Sequence, residues 1–141
     1  MAKFTFELEN ILEFRRFEQS NAEADLAKAL AQENQIQQKL ENLAQQKIAE
    51  KQASANATDL QTIVNRERFF SHIKYQTEQL LEMLTQAKMV SNEKRAVLAE
   101  CMKKTKALEK LREKKLAEFN EQEDYLEAEF MDELAVTRAK L

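Results

Sequence analysis

Residue types that most often carry chemistry are scarce in this sequence. It contains one histidine, His72, and one cysteine, Cys101, whereas a protein metal site needs three or four ligands at set spacings. A loop that cradles phosphate needs glycine for close backbone approach, and the chain has none. Aspartate and glutamate are plentiful, but the periodicity described below places them on solvated helix faces. We therefore predict no catalytic, cofactor-binding or metal-binding residue, no cofactor, and a protein that is not an enzyme.

The absence of glycine and proline predicts what elements the chain forms. All 141 positions lack both residues, although average usage gives about 12% for the two together. Since Gly and Pro punctuate turns and tight loops, a chain without them has few turns and long helices. The predicted fold class is all-α: two long helices form an antiparallel coiled-coil hairpin, and the second helix is longer and overhangs.

Charge and hydropathy exclude several classes of partner. The formal net charge is −3, which gives no reason to expect nucleic-acid binding. No apolar run approaches the roughly 18 residues that a membrane span needs, so no direct membrane insertion is expected. The N-terminal stretch lacks the layout of a signal peptide, and a single Cys cannot form an internal disulfide. We therefore predict a cytoplasmic protein.

Apolar periodicity places both helices in one hairpin over residues 1–141. Helix one is predicted at about 3–53, the loop at about 54–58 within QASANATD, and helix two at about 59–138. In the loop, Asn56 is the expected left-handed residue, and Thr58 or Asp59 is expected to cap helix two. The seam of helix one alternates spacings of three and four residues; its members are Leu26, Ala29, Glu33, Ile36, Leu40 and Leu43.

The loop position predicts which residues face each other. If the chain turns near residue 56, Phe4 lies level with Leu108, and everything after about residue 112 has no partner in its own chain. That overhang is about 30 residues, or about 45 Å of helix. It keeps an apolar face, which a partner is expected to cover because a single helix in water is poorly stabilised. The members of this face, interrupted by Glu123, are Leu116, Phe119, Leu126, Phe130 and Leu134.

Four lysines form a one-signed stripe late in helix two. Lys103, Lys106, Lys110 and Lys114 fall within about 80° of arc, and like charges four residues apart destabilise an isolated helix. Residues 103–115 hold seven basic and two acidic residues, whereas residues 116–137 hold eight acidic and no basic ones. These charges form either two solvated faces or, as we hypothesise, a docking surface for complementary charge.

Aromatic residues cluster just past the loop, in RERFFSHIKY. Phe70 and Ile73 belong to the seam of helix two, whereas Phe69, His72 and Tyr75 cannot all be buried by one partner helix. Either they fold over the loop and close the hairpin tip, or they form an exposed protein-docking patch. In such a patch we interpret His72 as a contact residue rather than a proton switch.

Both ends of the chain carry motifs of a known family. The opening KFTFELENILEFRRFEQ has two Phe, two Leu and an Arg, which are Phe4, Phe6, Leu8, Leu12 and Arg15. ALEKLREKK supplies the run Leu108, Glu109, Lys110, Leu111, Arg112, Glu113 and Lys114, and MDELAVTR supplies Asp132, Glu133 and Arg138. In order and position these motifs, over the whole chain, resemble the FliJ family, the small coiled-coil component of the bacterial flagellar type III export apparatus.

This resemblance implies partners and a location. Family members form an antiparallel coiled coil similar to the central stalk of rotary ATPases. They insert into the ring of the flagellar export ATPase and promote its assembly and activity. They also contact the cytoplasmic domain of the membrane export gate and handle export chaperones, which implies a peripheral location at the cytoplasmic face of the inner membrane. Since one hairpin fits one ring axis, the protein is expected to be a monomer when alone.

On this resemblance we assign two docking surfaces as hypotheses. The surface for the export ATPase comprises Phe4, Phe6, Leu8, Arg15, Lys103, Lys106, Lys110, Leu111, Lys114, Phe119, Leu126 and Phe130. The surface for the export gate comprises Phe69, Phe70, His72, Ile73 and Tyr75.

Three other functions remain open at the level of the sequence. The chain could be a structural coiled coil that homodimerises through the overhang, or a prefoldin-like holdase that grips clients at its tips. It could also be the injectisome paralogue of the same stalk. Oligomeric state separates the stalk from the structural coiled coil, and client binding without an effect on ATP hydrolysis would favour the holdase.

Overall fold

The computed structural model describes residues 2–140, which form two α-helices. α1 spans Glu9–Ala53 and α2 spans Leu60–Lys140. The helices contact each other as an antiparallel hairpin, and α2, with 81 residues, is nearly twice as long as α1, with 45. The predicted all-α fold with a longer second helix is therefore confirmed. Contacts divide the chain into two compact units: Met1–Ser20 with Ala99–Leu141, here the terminal unit, and Asn21–Leu98, here the loop unit.

The loop unit is held together by a narrow seam of small and medium side chains. Its buried apolar residues are Ala22, Ala29, Ile36, Leu43 and Ile73. Three of these, Ala29, Ile36 and Leu43, belong to the predicted seam of helix one, while Leu26, Glu33 and Leu40 are half-buried. The alternation of three and four residues therefore predicted the inward face of α1 correctly.

The connection between the helices turns without a left-handed residue. No residue among 2–140 has a positive φ, so the expectation for Asn56 is wrong. The turn closes through a hydrogen bond from the amide of Ala57 to the carbonyl of Ser54, at 3.2 Å, and this local geometry needs no positive φ. The Ser54 hydroxyl donates to the carbonyl of Glu50, at 2.6 Å, and Arg66 Nη1 donates to the carbonyl of Ser54, at 3.3 Å.

Asp59 caps α2, as predicted. Its Oδ2 accepts hydrogen bonds from the amide and the hydroxyl of Thr62, at 3.4 and 3.2 Å, and its carbonyl accepts from the amide of Ile63, at 3.1 Å. A carboxylate at this position satisfies an amide that has no partner within the helix.

The N-terminal segment departs from the predicted helix. Helix one was expected to begin near Lys3, but α1 begins at Glu9, and residues 2–6 are not helical. Phe6 is 92% buried, with an exposed fraction of 8%, and the Phe6 carbonyl accepts a hydrogen bond from the amide of Glu9, at 3.1 Å. A non-helical segment lets Phe6 pack inward, whereas a helix would have placed its side chain away from the seam that Phe4 and Leu8 share.

The register of the terminal unit also differs from the prediction. Phe4 was expected to lie level with Leu108, but its ring contacts Phe119, with centroids 5.6 Å apart. Glu9 lies opposite Arg112. A non-helical chain advances farther per residue than the 1.5 Å of a helix, so the N-terminal segment reaches farther along α2. The part of α2 without a partner therefore does not begin after residue 112.

Candidate protein-binding site

The overhang of α2 begins past the N-terminal segment and is wholly exposed. Within the described chain, every residue of 124–140 is exposed. This overhang is 17 residues, or about 26 Å of helix, against the roughly 30 residues predicted. Its apolar face continues the side of α2 that Leu116 and Phe119 turn toward the N-terminal segment. The three members past the segment are exposed at 57%, 60% and 41%, and are Leu126, Phe130 and Leu134.

The predicted ATPase-docking residues of the N-terminal segment divide into buried and accessible ones. Phe6 is buried, whereas Phe4 and Leu8 are half-buried. A groove runs between this segment and α2, where Leu111 and Phe119 form part of the opposite wall. The structure thus brings the aromatic opening of the chain together with the base of the overhang, as a docking surface at one end of the hairpin requires.

Arg112 joins the N-terminal segment to α2, a role that sequence reasoning missed. Its Nε donates to Glu9 Oε2, at 2.9 Å, and its guanidinium lies 5.5 Å from the centroid of the Phe4 ring. One turn earlier on α2, Glu109 accepts a hydrogen bond from Arg16, at 3.4 Å. A signal was present in the sequence, since Arg112 lies one turn beyond the seam residue Leu108, but the wrong register placed no acidic partner opposite it.

The lysine stripe lies on the side of α2 that faces away from the N-terminal segment. Its four members are exposed, and within residues 2–140 none of them forms a salt bridge. The ion pairs of this segment fall on Arg112 and on Lys115, whose Nζ lies 3.8 Å from Glu118. Arg15, which was grouped with the stripe, lies on α1 and pairs with Glu18, at 3.3 Å. The stripe is therefore charge available to a partner.

The predicted gate-docking residues occupy different faces near the start of α2. Ile73 is buried in the seam, so its side chain supports the fold rather than a docking surface. Phe69 and Phe70 are half-buried and meet edge to face, with centroids 6.0 Å apart. His72 is exposed, and Tyr75 is exposed at 61%. Phe69, His72 and Tyr75 thus remain accessible, and the aromatic cluster does not close completely over the tip.

Sequence reasoning assigned no role to two exposed aromatic residues of α1. Phe14 and Phe17 are exposed at 55% and 61%, on the outward side of the helix from Leu12. Arg15 lies beside the Phe14 ring, 6.0 Å from its centroid. Their number within one short segment was the available signal, but their position outside the seam left them without an assignment.

The described residues offer no chemistry of the metal-dependent or membrane-spanning kinds. Among residues 2–140 no group of three or more His, Cys, Asp or Glu side chains is placed to hold a metal ion. Over the same range neither helix has a stretch apolar enough, and of sufficient length, to cross a lipid bilayer. What these residues present is an apolar helix face, a charged face and an aromatic patch, which are the features of a protein-binding surface.

Comparison with known proteins identifies the family. No curated protein and no solved structure gives a significant match to this chain. The family model described as "Flagellar FliJ protein" matches residues 4–140 of the 141. Since the match covers both motif-bearing ends and both helices, the chain belongs to the flagellar FliJ protein family.

Proposed function

We propose that this chain is a non-catalytic stalk that binds the ring of the flagellar export ATPase and promotes its assembly and activity. Family membership makes it a component related to flagellar protein export. The ATPase is the partner that this family implies, and the end of the hairpin that holds both chain termini is the proposed docking site. The observation that supports it most is the exposed apolar face of the overhang.

The apolar face accounts for most of the proposed affinity. Leu126, Phe130 and Leu134 are each between 41% and 60% exposed, and they continue the face by which α2 packs on the N-terminal segment. Burying apolar surface stabilises a complex by about 25 cal/mol per Å². Exposed charge pairs contribute under about 1 kcal/mol each. The charges of the terminal unit therefore set orientation and association rate more than affinity.

The aromatic patch past the loop is the proposed contact for the export gate. Phe69, His72 and Tyr75 combine apolar area with polar atoms, a composition common in binding hot spots. This surface belongs to the loop unit, and the proposed ATPase-binding surface belongs to the terminal unit. Contact with the cytoplasmic domain of the gate implies a location at the cytoplasmic face of the inner membrane. Export chaperones are further proposed partners.

The decisive measurement is ATP hydrolysis by the cognate export ATPase with and without this protein. We expect activation to be strongest at low ATPase concentration, where rings are scarce, because the stalk nucleates the hexamer. The variant with serine at Leu126, Phe130 and Leu134 should lose activation. No activation at any ATPase concentration, with binding absent, would contradict the stalk.

A matched control is available on the other side of the overhang. Tyr125 and Val136 are exposed at 68% and 55% and point roughly 100–160° away from the apolar face. Serine at these two positions removes comparable apolar surface and should leave activation intact. Equal loss in both variants would show that general hydrophobicity, rather than this face, binds the ATPase.

A further inference from the structure

The outward face of α2 carries a stripe whose charge changes sign halfway along its length. Every member is exposed, and successive members are three or four residues apart, so all fall within about 80° of arc. The basic half consists of the four lysines, and the acidic half has three carboxylates on the same face. In chain order the stripe is Ala99, Lys103, Lys106, Lys110, Lys114, Ala117, Glu121, Asp124, Ala128, Asp132 and Ala135.

The two halves are self-complementary about Ala117. Lys110 lies seven residues before Ala117 and Asp124 lies seven residues after it. Lys114 and Glu121 are three residues before and four after, and Lys103 and Asp132 are 14 before and 15 after. The alanines obey the same relation, because Ala99 and Ala135 are each 18 residues from the midpoint. A copy of this helix laid antiparallel on itself therefore places base against acid.

We propose that a second copy of this chain docks antiparallel along this stripe, with the two copies of Ala117 at a two-fold axis. A two-fold interface uses the same patch on both subunits, so each of the three Lys–carboxylate pairs forms twice. Small side chains at Ala117, Ala128 and Ala135 let the helices approach closely. The second copy also accounts for the lysine spacing, since its carboxylates offset the repulsion between Lys106, Lys110 and Lys114.

Charge complementarity favours a second copy over an unrelated polyanion. A polyanion would bind the four lysines and be repelled by Glu121, Asp124 and Asp132. None of these seven charges forms a salt bridge within residues 2–140, so all remain available. The interface leaves the apolar face of Leu126 and Phe130 uncovered, since that face points to the other side of α2. The proposed dimer therefore does not depend on the proposed ATPase binding.

The association should be weak and sensitive to salt. Exposed ion pairs are screened by salt, and the Debye length falls from about 30 Å at 0.01 M to about 3 Å at 1 M ionic strength. Sedimentation equilibrium of the full chain should show a monomer–dimer equilibrium at low salt. The dissociation constant should rise at least about tenfold at high salt, as for other screened charge pairs. A chain that is monomeric at every salt and protein concentration would overturn the proposal.

Charge exchange tests the pairing itself. One variant carries Lys110→Glu and Lys114→Glu, and the other carries Glu121→Lys and Asp124→Lys. Each alone should be monomeric, because like charges then face each other, and an equimolar mixture should restore the dimer. Failure of the mixture to associate would overturn the proposal. Circular dichroism checks folding, which should be unchanged because all four positions are exposed.

Control variants place the same charges off the stripe. Lys104→Glu with Lys115→Glu, and Glu127→Lys with Glu129→Lys, lie roughly 100–140° around α2 from Lys110. These variants should dimerise like the unaltered chain. Equal weakening in control and stripe variants would show association through net charge alone, and would overturn the proposal.

A crosslink tests the position of the axis. In a Cys101→Ser background, Ala117→Cys should form a disulfide-linked dimer under mild oxidation, because residue 117 of each copy meets at the axis. Ala107→Cys, about 60° off the stripe and ten residues away, should crosslink much more slowly. Equal crosslinking at both positions would contradict the two-fold axis at Ala117.

Discussion

At the scale of single residues, hydroxyl groups replace apolar side chains at several seam positions. Ser91 is fully buried and Thr105 is 95% buried, with exposed fractions of 0% and 5%. Each donates to the carbonyl four residues earlier on α2, at 3.0 Å in both cases, and Thr105 Oγ1 also lies 3.3 Å from the carbonyl of Arg15. Because a buried polar group costs free energy only when it lacks a partner, these positions interrupt the apolar pattern without interrupting the packing.

The first residue-scale prediction compares two neighbours on α1. Leu12 is fully buried, whereas Ile11 is 45% exposed. Leu12→Ala should lower the free energy of unfolding by about 2–5 kcal/mol, because it removes buried methyl groups and leaves a cavity. Ile11→Ala should cost under about 1 kcal/mol. Urea denaturation followed by circular dichroism measures both, and equal losses would show that Leu12 is not the packing centre of the terminal unit.

At the scale of elements, the start of α2 depends on one side chain. Asp59 Oδ2 accepts from the amide of Thr62, at 3.4 Å, and a carboxylate here also interacts favourably with the helix dipole. The first turn of α2 contains no other acidic residue. The cap therefore defines where the loop ends in a chain that has no glycine or proline to do so.

Removing the cap should destabilise this end of α2. Asp59→Ala should lower the free energy of unfolding by about 1 kcal/mol. Thr58→Ala, one residue earlier, should have an effect under about 0.5 kcal/mol. Amide hydrogen exchange of residues 60–63 should accelerate in the first variant only, and unchanged exchange there would argue against Asp59 as the cap.

At the scale of the whole molecule, the two chain termini differ in what they contribute. The N-terminal segment is packed, with Phe6 buried and Phe4 against Phe119. The overhang past Glu123 is exposed throughout its described length. The first therefore belongs to the folded structure, and the second is available for binding.

Truncation separates these contributions. A chain ending at Glu123 should keep its melting temperature within about 2 °C, because a change well under 1 kcal/mol shifts the melting temperature by only that much. Deleting residues 2–8 instead should lower it measurably, since Phe4 and Phe6 are lost. Thermal melts by circular dichroism compare the two, and a large loss on truncation at Glu123 would show that the overhang stabilises the hairpin.

The sequence by itself determined the helical fold, the inward face of each helix and the cap. Helix periodicity and the absence of Gly and Pro are local properties of the backbone, so Ala29, Ile36 and Asp59 were placed correctly. The family motifs at both ends predicted the family for the same reason, since their order along the chain is readable without coordinates.

Only the tertiary structure decided the register, the non-helical start and the direction of the charged faces. Register depends on non-local contacts such as Glu9 with Arg112 and Phe4 with Phe119, and a seam that repeats every few residues permits several alignments of nearly equal burial. The N-terminal segment gives up helix because burying Phe6 outweighs the hydrogen bonds of one more turn. These contacts, which no local pattern encodes, set the overhang at 17 residues.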